Sequence, residues 1–117
     1  MNLALRFFLE LLGLSALAWF GWSSGRGVFK YALAAALPIG AAFLWGTLAV
    51  RGDPSRSGNA PIPVPGILRL VVELAFFGAA TWSLHATGAT KLALGYGLTV
   101  LVHYAVSHDR VLWLLRQ

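Results

Sequence analysis

The chain has 117 residues, of which 58% are hydrophobic and 11% are charged, so it is long enough for one domain but unlike a soluble one. Soluble domains carry about 25% charged residues, and one this small could not bury so much apolar surface. The absence of cysteine excludes disulfides, thiol catalysis and cysteine-based metal sites. This composition predicts an integral membrane protein.

The net charge of +5 reflects nine Lys and Arg residues that lie singly at the ends of apolar segments. A nucleic-acid-binding protein would gather them in one basic stripe with aromatic residues between them, so we expect no nucleic-acid partner. Single basic residues at the ends of apolar segments set membrane topology and contact anionic lipid headgroups. The expected partners are therefore the lipid bilayer and its anionic headgroups.

Four apolar segments approach the roughly 20 residues that a helix needs to cross the hydrocarbon. They predict membrane-spanning helices at about 3–22, 28–50, 67–86 and 89–108. The first and third connectors are short, which is typical of helical hairpins, whereas the second, 51–66, is polar and proline-rich. We therefore expect an all-α fold, with a single transmembrane domain over 1–117 that forms a four-helix bundle of two hairpins.

The basic residues beside these spans favour a cytoplasmic location for both termini and for the 51–66 connector. That side holds Arg6, Arg51, Arg56, Arg69, Arg110 and Arg116, whereas the opposite side holds Arg26, Lys30 and Lys91. Because cytoplasmic loops carry the excess of Lys and Arg, the first group marks the cytoplasmic side.

Two segments match each other without a gap, LRFFLELLGLSALAW at 5–19 and LRLVVELAFFGAATW at 68–82. The identical polar and aromatic positions are Arg6 and Arg69, Glu10 and Glu73, and Trp19 and Trp82. Chance produces apolar matches, but Arg, Glu and Trp in one register indicate a duplication. Each unit contains two spans, so both units enter the membrane in the same direction. We predict a tandem parallel repeat with units of about 1–50 and 64–117.

The repeated charges belong to a predicted polar layer near the cytoplasmic end of the bundle. If the hydrocarbon begins near Leu5 and Leu68, Glu10 and Glu73 lie about 7 Å inside it. Helix four adds polar residues at spacings of three and four, which place them on one face. The candidate layer or ligand site comprises Arg6, Glu10, Thr47, Arg69, Glu73, Tyr96, Thr99, His103 and Ser107, and Arg110 continues the polar stripe of helix four.

Two interpretations of this layer stay open. In the first, Arg and Glu four residues apart form ion pairs within each helix and fix the register of the bundle. The protein is then a membrane scaffold or accessory protein, and we favour this interpretation. In the alternative, Glu10 and Glu73 are the coupling sites of a small proton- or cation-coupled transporter or channel that acts as a homo-oligomer.

The sequence contains no pattern typical of an enzyme. It lacks the G-x-S-x-G motif of serine hydrolases and the H-E-x-x-H motif of zinc proteases. Glu10, Glu73 and His103 could supply oxygen and nitrogen ligands, but no local ligand spacing supports a metal site. We therefore expect no catalytic residues, no cofactor and no metal.

Small residues recur at four-residue spacing in the second predicted helix, at Ala32, Ala36 and Gly40. In lipid, such faces let helix backbones approach closely. They predict tight internal packing and, as the alternative, a surface for a homodimer or a partner membrane protein.

Three segments resemble the YrdB-like family of small, functionally uncharacterised bacterial membrane proteins. They are NLALRFFLE at 2–10, PGILRLVVEL at 65–74 and HYAVSHDRVLWLL at 103–115. The resemblance covers nearly the whole chain and includes GDPSRSG in the second connector. It implies a four-span, multi-pass protein of the bacterial plasma (inner) membrane and supplies no catalytic residues.

Overall fold

The structure, a computed structural model, describes residues 2–53 and 59–117. Its elements in chain order are α1 (Leu3–Ser24), α2 (Phe29–Thr47), β1 (Leu48–Ala49), β2 (Ile62–Pro63), α3 (Gly66–Ala86), α4 (Thr90–Val106) and α5 (His108–Leu115). The prediction of a helical protein is confirmed, and the two strands are only two residues long. Arg56 and the centre of the predicted 51–66 connector lie outside the described residues.

Within the described part of the chain, α1, α2 and α3 are the three helices long and apolar enough to cross a membrane. The next helix, α4, has 17 residues and stops before Ser107, whose backbone has φ −98° and ψ 32°. A helix of that length spans about 26 Å, less than the roughly 30 Å of a hydrocarbon core. The predicted span at 89–108 is therefore shorter in the structure than expected, and the chain continues as the separate helix α5.

Large apolar side chains cover the outer surface of the bundle. The exposed fraction is 64% for Phe8 in α1, 67% for Phe43 in α2, 61% for Trp82 in α3 and 67% for Leu101 in α4. Soluble monomers rarely expose contiguous apolar surface on this scale. The outer surface is therefore suited to lipid.

The core lies between α1, α3 and α4. In the packing of the helices, α1 lies against α2 and α3, and α4 lies against α3. The core residues are Leu9, Ala16, Phe77, Ala80, Tyr96 and Val100. The helix α2 has no buried residue and approaches α1 closely at Gly21, where a Cβ would lie 2.5 Å from the carbonyl carbon of Leu33. Close approach at a small residue is the usual way in which helices associate in lipid.

A parallel pair of strands holds both ends of the second connector together. Leu48 pairs with Ile62 and Ala49 with Pro63, and the Val64 amide donates to the Ala49 carbonyl at 2.9 Å. Ala49, Val50 and Asp53 are buried, whereas Ile62 and Pro63 of the partner strand are exposed. The connector therefore carries an acidic side chain to the end of the bundle where α3 begins.

The C-terminal helix α5 folds back against the beginning of α3. Arg110 and Leu114 of α5 are buried there. The approach is so close that a Cβ at Gly66 would overlap the carbonyl oxygen of Leu114. Gly66 is thus the position that lets α5 reach α3.

Replacement of Gly66 with Ala should push α5 away from α3 and destabilise the protein by about 1–3 kcal/mol, the usual cost of overpacking. Gly78→Ala in the same helix is the matched control, because a Cβ at Gly78 has no neighbour within 4 Å. Thermal unfolding in detergent, followed by circular dichroism, measures both. Equal melting temperatures for the two variants would contradict the proposed contact.

Candidate functional site

The carboxylate of Glu73 is the centre of a buried charged cluster. Its Oε1 accepts hydrogen bonds from Arg6 Nη2 at 2.5 Å and from Tyr104 Oη at 2.9 Å. Its Oε2 accepts from Arg69 Nε at 3.1 Å and from Arg110 Nη2 at 2.8 Å. A carboxylate offers about four lone-pair sites, and these donors occupy all of them. Glu73 is also 0% exposed, so it has neither a free acceptor site nor access to solvent.

These donors come from four different helices. Arg6 lies in the second turn of α1, Arg69 shares α3 with Glu73, Tyr104 lies near the end of α4 and Arg110 lies in α5. An arginine fork and a carboxylate match in geometry, which strengthens such pairs relative to neutral hydrogen bonds. One carboxylate therefore holds the ends of α1, α3, α4 and α5 at one level.

Arg69 connects the cluster to α2. Its Nη1 donates to the carbonyl oxygens of Trp45 at 2.6 Å and Leu48 at 2.7 Å. The last carbonyls of a helix have no partner within the helix, so a cation there satisfies them. The Arg69 guanidinium also lies over the Trp45 ring, 4.5 Å from its centroid. The end of α2 is thereby fixed to α3 by a single side chain.

Arg110 connects the cluster to the second connector. Its Nη1 and Nη2 donate to the two carboxylate oxygens of Asp53, at 2.6 and 3.0 Å. Burial acts to lower the pKa of Arg110, but the hydrogen bonds to Asp53 and the charge of Glu73 outweigh burial and raise its pKa above the ordinary value. Arg110 therefore stays charged.

Among the described residues, the cluster is close to neutral. The buried guanidinium groups are those of Arg6, Arg69 and Arg110, and the buried carboxylates are those of Glu73 and Asp53. Glu10 adds a third, partly exposed carboxylate, which accepts from Arg6 Nε at 3.3 Å. Because each buried charge faces an opposite charge, burial does not leave an uncompensated ion.

The two repeated glutamates have different surroundings. The Glu73 side chain is 0% exposed and contacts three arginines, whereas the Glu10 side chain is 25% exposed and is paired with Arg6 in the same helix. Both predicted pairs within a helix, Arg6 with Glu10 and Arg69 with Glu73, are present. The two glutamates are therefore not equivalent, because the arginines of other helices converge on Glu73.

Four further predicted site residues are not among the side chains that donate to Glu73 in the described part of the chain. Tyr96 is buried, but its Oη donates to the Leu9 carbonyl at 2.8 Å. His103 and Ser107 are buried beside the cluster, and His103 Nε2 and Ser107 Oγ have no hydrogen-bond partner among the described residues. The Thr47 hydroxyl donates to the Phe43 carbonyl of its own helix.

Thr99, which the spacing placed on the polar face of helix four, lies outside the buried part of that face. Thr99 is exposed, and its hydroxyl donates to the Gly95 carbonyl at 2.7 Å. With about 100° per residue, Thr99 points some 40–80° away from Tyr96, His103 and Ser107, so it lies at the edge of their face. The stripe also does not run along a single helix to Arg110, because α4 ends at Val106.

Asp53 and Tyr104 belong to the cluster but were not among the predicted site residues. Asp53 is one of only four acidic residues in a chain with nine basic ones, which is the signal that could have marked it. Tyr104 carries no such signal, because it follows His103 in an apolar helix. In residues 2–53 and 59–117, no group of three or more His, Asp or Glu residues could hold a metal ion.

Glu73→Gln should destabilise the protein by about 3–5 kcal/mol, because it leaves buried guanidinium groups without their shared counter-ion. Glu10→Gln removes a partly exposed pair and should cost no more than about 1 kcal/mol. The two substitutions are chemically identical, so each serves as the control for the other. Melting temperatures in the same detergent measure the difference, and an equal fall for both would rule out the unequal roles.

Comparisons with known proteins give a consistent result. A family model described as "Protein of unknown function (DUF2568)" matches residues 4–101. The chain is 40% identical over 116 residues to a Bacillus subtilis (strain 168) protein described as "Uncharacterized protein YrdB". The aligned region covers 99% of this chain and 94% of that protein. No solved structure matches the chain.

Proposed function

The chain belongs to the DUF2568 family of proteins of unknown function, as its resemblance to the YrdB-like family predicted, and we propose that it is a multi-pass membrane scaffold or accessory protein. In this proposal the charged cluster is a structural clamp. It fixes the cytoplasmic ends of the helices and leaves the apolar outer surface for lipids and partner membrane proteins.

This proposal depends on one observation, that hydrogen-bond donors occupy all the acceptor sites of the Glu73 carboxylate. A carboxylate that couples transport must exchange a proton or cation with water during each cycle. Glu73 is fully buried and accepts hydrogen bonds from Arg6, Arg69, Arg110 and Tyr104. Release of these donors would expose several buried charges at once, so the arrangement favours a fixed structural role over a transport site.

The proposed membrane placement includes α4 as a fourth span. The cluster gathers the beginning of α1, the end of α2, the beginning of α3 and the region after α4, which supports alternating helix directions. Both termini and the second connector then lie on one side of the membrane. Arg51 and Arg116 are exposed on that side, which favours the cytoplasm under the positive-inside rule.

The arrangement of the helices also supports a duplicated hairpin. In the first unit α2 packs on α1, in the second α4 packs on α3, and the two units meet through α1 and α3. A twofold axis along the membrane normal relates such units in parallel repeats. The proposed units diverge where each second helix ends, since β1 follows α2 and α5 follows α4.

Single cysteines should report this topology cleanly, because the natural chain has none. Asn59→Cys in the connector should react with an impermeant maleimide only after the inner membrane is opened. Ser24→Cys, at the end of α1, should react in spheroplasts whose inner membrane is still intact. Both positions are exposed, so access depends on the side of the membrane. Labelling of Asn59→Cys in intact spheroplasts would reverse the proposed orientation.

Proton flux in liposomes tests the transport alternative directly. The wild-type protein should conduct no more protons than protein-free liposomes, and Glu10→Gln and Glu73→Gln should leave this baseline unchanged. A pH-sensitive dye inside the vesicles reads the flux after a pH jump. A flux that Glu10→Gln abolishes without lowering the melting temperature would contradict the scaffold proposal.

A further inference from the structure

A long groove separates α1 from α4 on the outside of the bundle. Its volume is about 580 Å³, within the range of about 300–1,000 Å³ for pockets that hold small ligands. Leu5 and Leu9 line one end, and Trp19 and Lys91 line the other. The groove exists because α1 and α4 touch little, since α1 packs on α2 and α3 and α4 packs mainly on α3. It therefore runs along most of the length of α1.

The wall of the groove offers no free hydroxyl donor among its described residues. Ser15, Tyr96 and Thr99 each contribute a hydroxyl, and each hydroxyl donates to a main-chain carbonyl at 2.8, 2.8 and 2.7 Å respectively. The other lining side chains are apolar except for Lys91. Away from Lys91, a polar ligand would lose its hydrogen bonds to water and find no free hydroxyl donor, whereas a hydrocarbon chain loses nothing. The groove is thus selective for an alkyl chain.

The length of the groove matches an acyl chain. From Leu5 to Trp19 the helix α1 rises about 21 Å. One leaflet of the hydrocarbon core is about 15 Å thick. A chain entering beside Trp19 can therefore lie in the groove over the full depth of its leaflet, and the space left over at the Leu5 end is apolar as well.

Lys91 provides the complementary charge at the mouth of the groove. It is exposed in the first turn of α4, and no side chain caps the N-terminus of that helix. A lysine near the surface attracts anionic headgroups by about 1 kcal/mol. Trp19 lies at the same end, where aromatic rings prefer the headgroup level. An apolar channel with a cation at its mouth has the chemistry of a phospholipid site.

We propose that this groove binds one anionic phospholipid, with an acyl chain against Leu9, Ala16 and Gly95 and the phosphate beside Lys91. The headgroup end of the site, at Lys91, lies at the opposite end of the bundle from the charged cluster. The proposal rests on the membrane placement given above but not on the role of Glu73. It would stand even if the cluster took part in transport.

Native mass spectrometry of the detergent-purified protein, titrated with phosphatidylglycerol or phosphatidylcholine, tests this site. The wild-type chain should retain one phospholipid and prefer phosphatidylglycerol. Lys91→Gln should lose that preference, roughly five-fold in affinity, the effect of one lysine beside an anionic headgroup. Arg26→Gln is the matched control, because Arg26 is exposed on the same side outside the groove and should not change the preference.

A second variant tests the apolar part of the site. Gly95→Phe fills the groove and should abolish retention of both lipids, while Gly40→Phe on α2 should not. A Cβ at either glycine has no neighbour within 4 Å, so both variants should fold alike. Equal lipid retention by these two variants would overturn the proposal. A second result would also overturn it: a wild-type dimer that becomes a monomer in the Gly95→Phe variant while lipid retention is unchanged. The groove would then hold a second copy of the chain.

Discussion

A buried carboxylate shared by three arginines is the interaction on which the rest of the structure depends. A single ion transferred into an apolar bundle costs several kcal/mol, so Glu73 and its partners are stable only together. Arg6 attaches α1, Arg69 attaches the end of α2, and Arg110 attaches α5 and the second connector through Asp53. In lipid, where apolar burial gives helices little reason to associate, such contacts and close backbone approach determine the packing. The mutual neutralisation of these buried charges, at one end of the bundle, therefore determines how the helices are arranged.

The matching segments 5–19 and 68–82 do not place their glutamates in equivalent surroundings. Glu10 and Glu73 occupy matching positions, yet in residues 2–53 and 59–117 only Glu73 receives arginines from other helices. The difference arises from the segments that follow each hairpin. After α4 the chain turns at Ser107 and returns as α5, which brings Arg110 to Glu73, whereas after α2 it enters the connector. Of the two Arg–Glu pairs, one thus lies at the centre of the buried cluster and the other is a partly exposed ion pair.

The parts that could be predicted from sequence are those set by local spacing. Helical periodicity and apolar length predicted the long helices, and the match of Arg6 with Arg69 predicted the charged layer. Tyr104 and Arg110 reach Glu73, and Asp53 reaches Arg110, through long-range packing that no local pattern encodes. The exposure of Thr99 was not predicted, because a spacing of three or four residues does not distinguish a buried face from its edge. The end of α4 at Val106 was not predicted either.

A double-mutant cycle between Arg6 and Glu73 tests the central claim most directly. The variants Arg6→Gln, Glu73→Gln and the double variant are unfolded in one detergent, and the free energies of unfolding are compared. Because the two side chains meet at 2.5 Å inside the cluster, we expect a coupling energy of about 1–3 kcal/mol. Effects that add to within about 0.5 kcal/mol would show that the two groups act independently and would contradict the account.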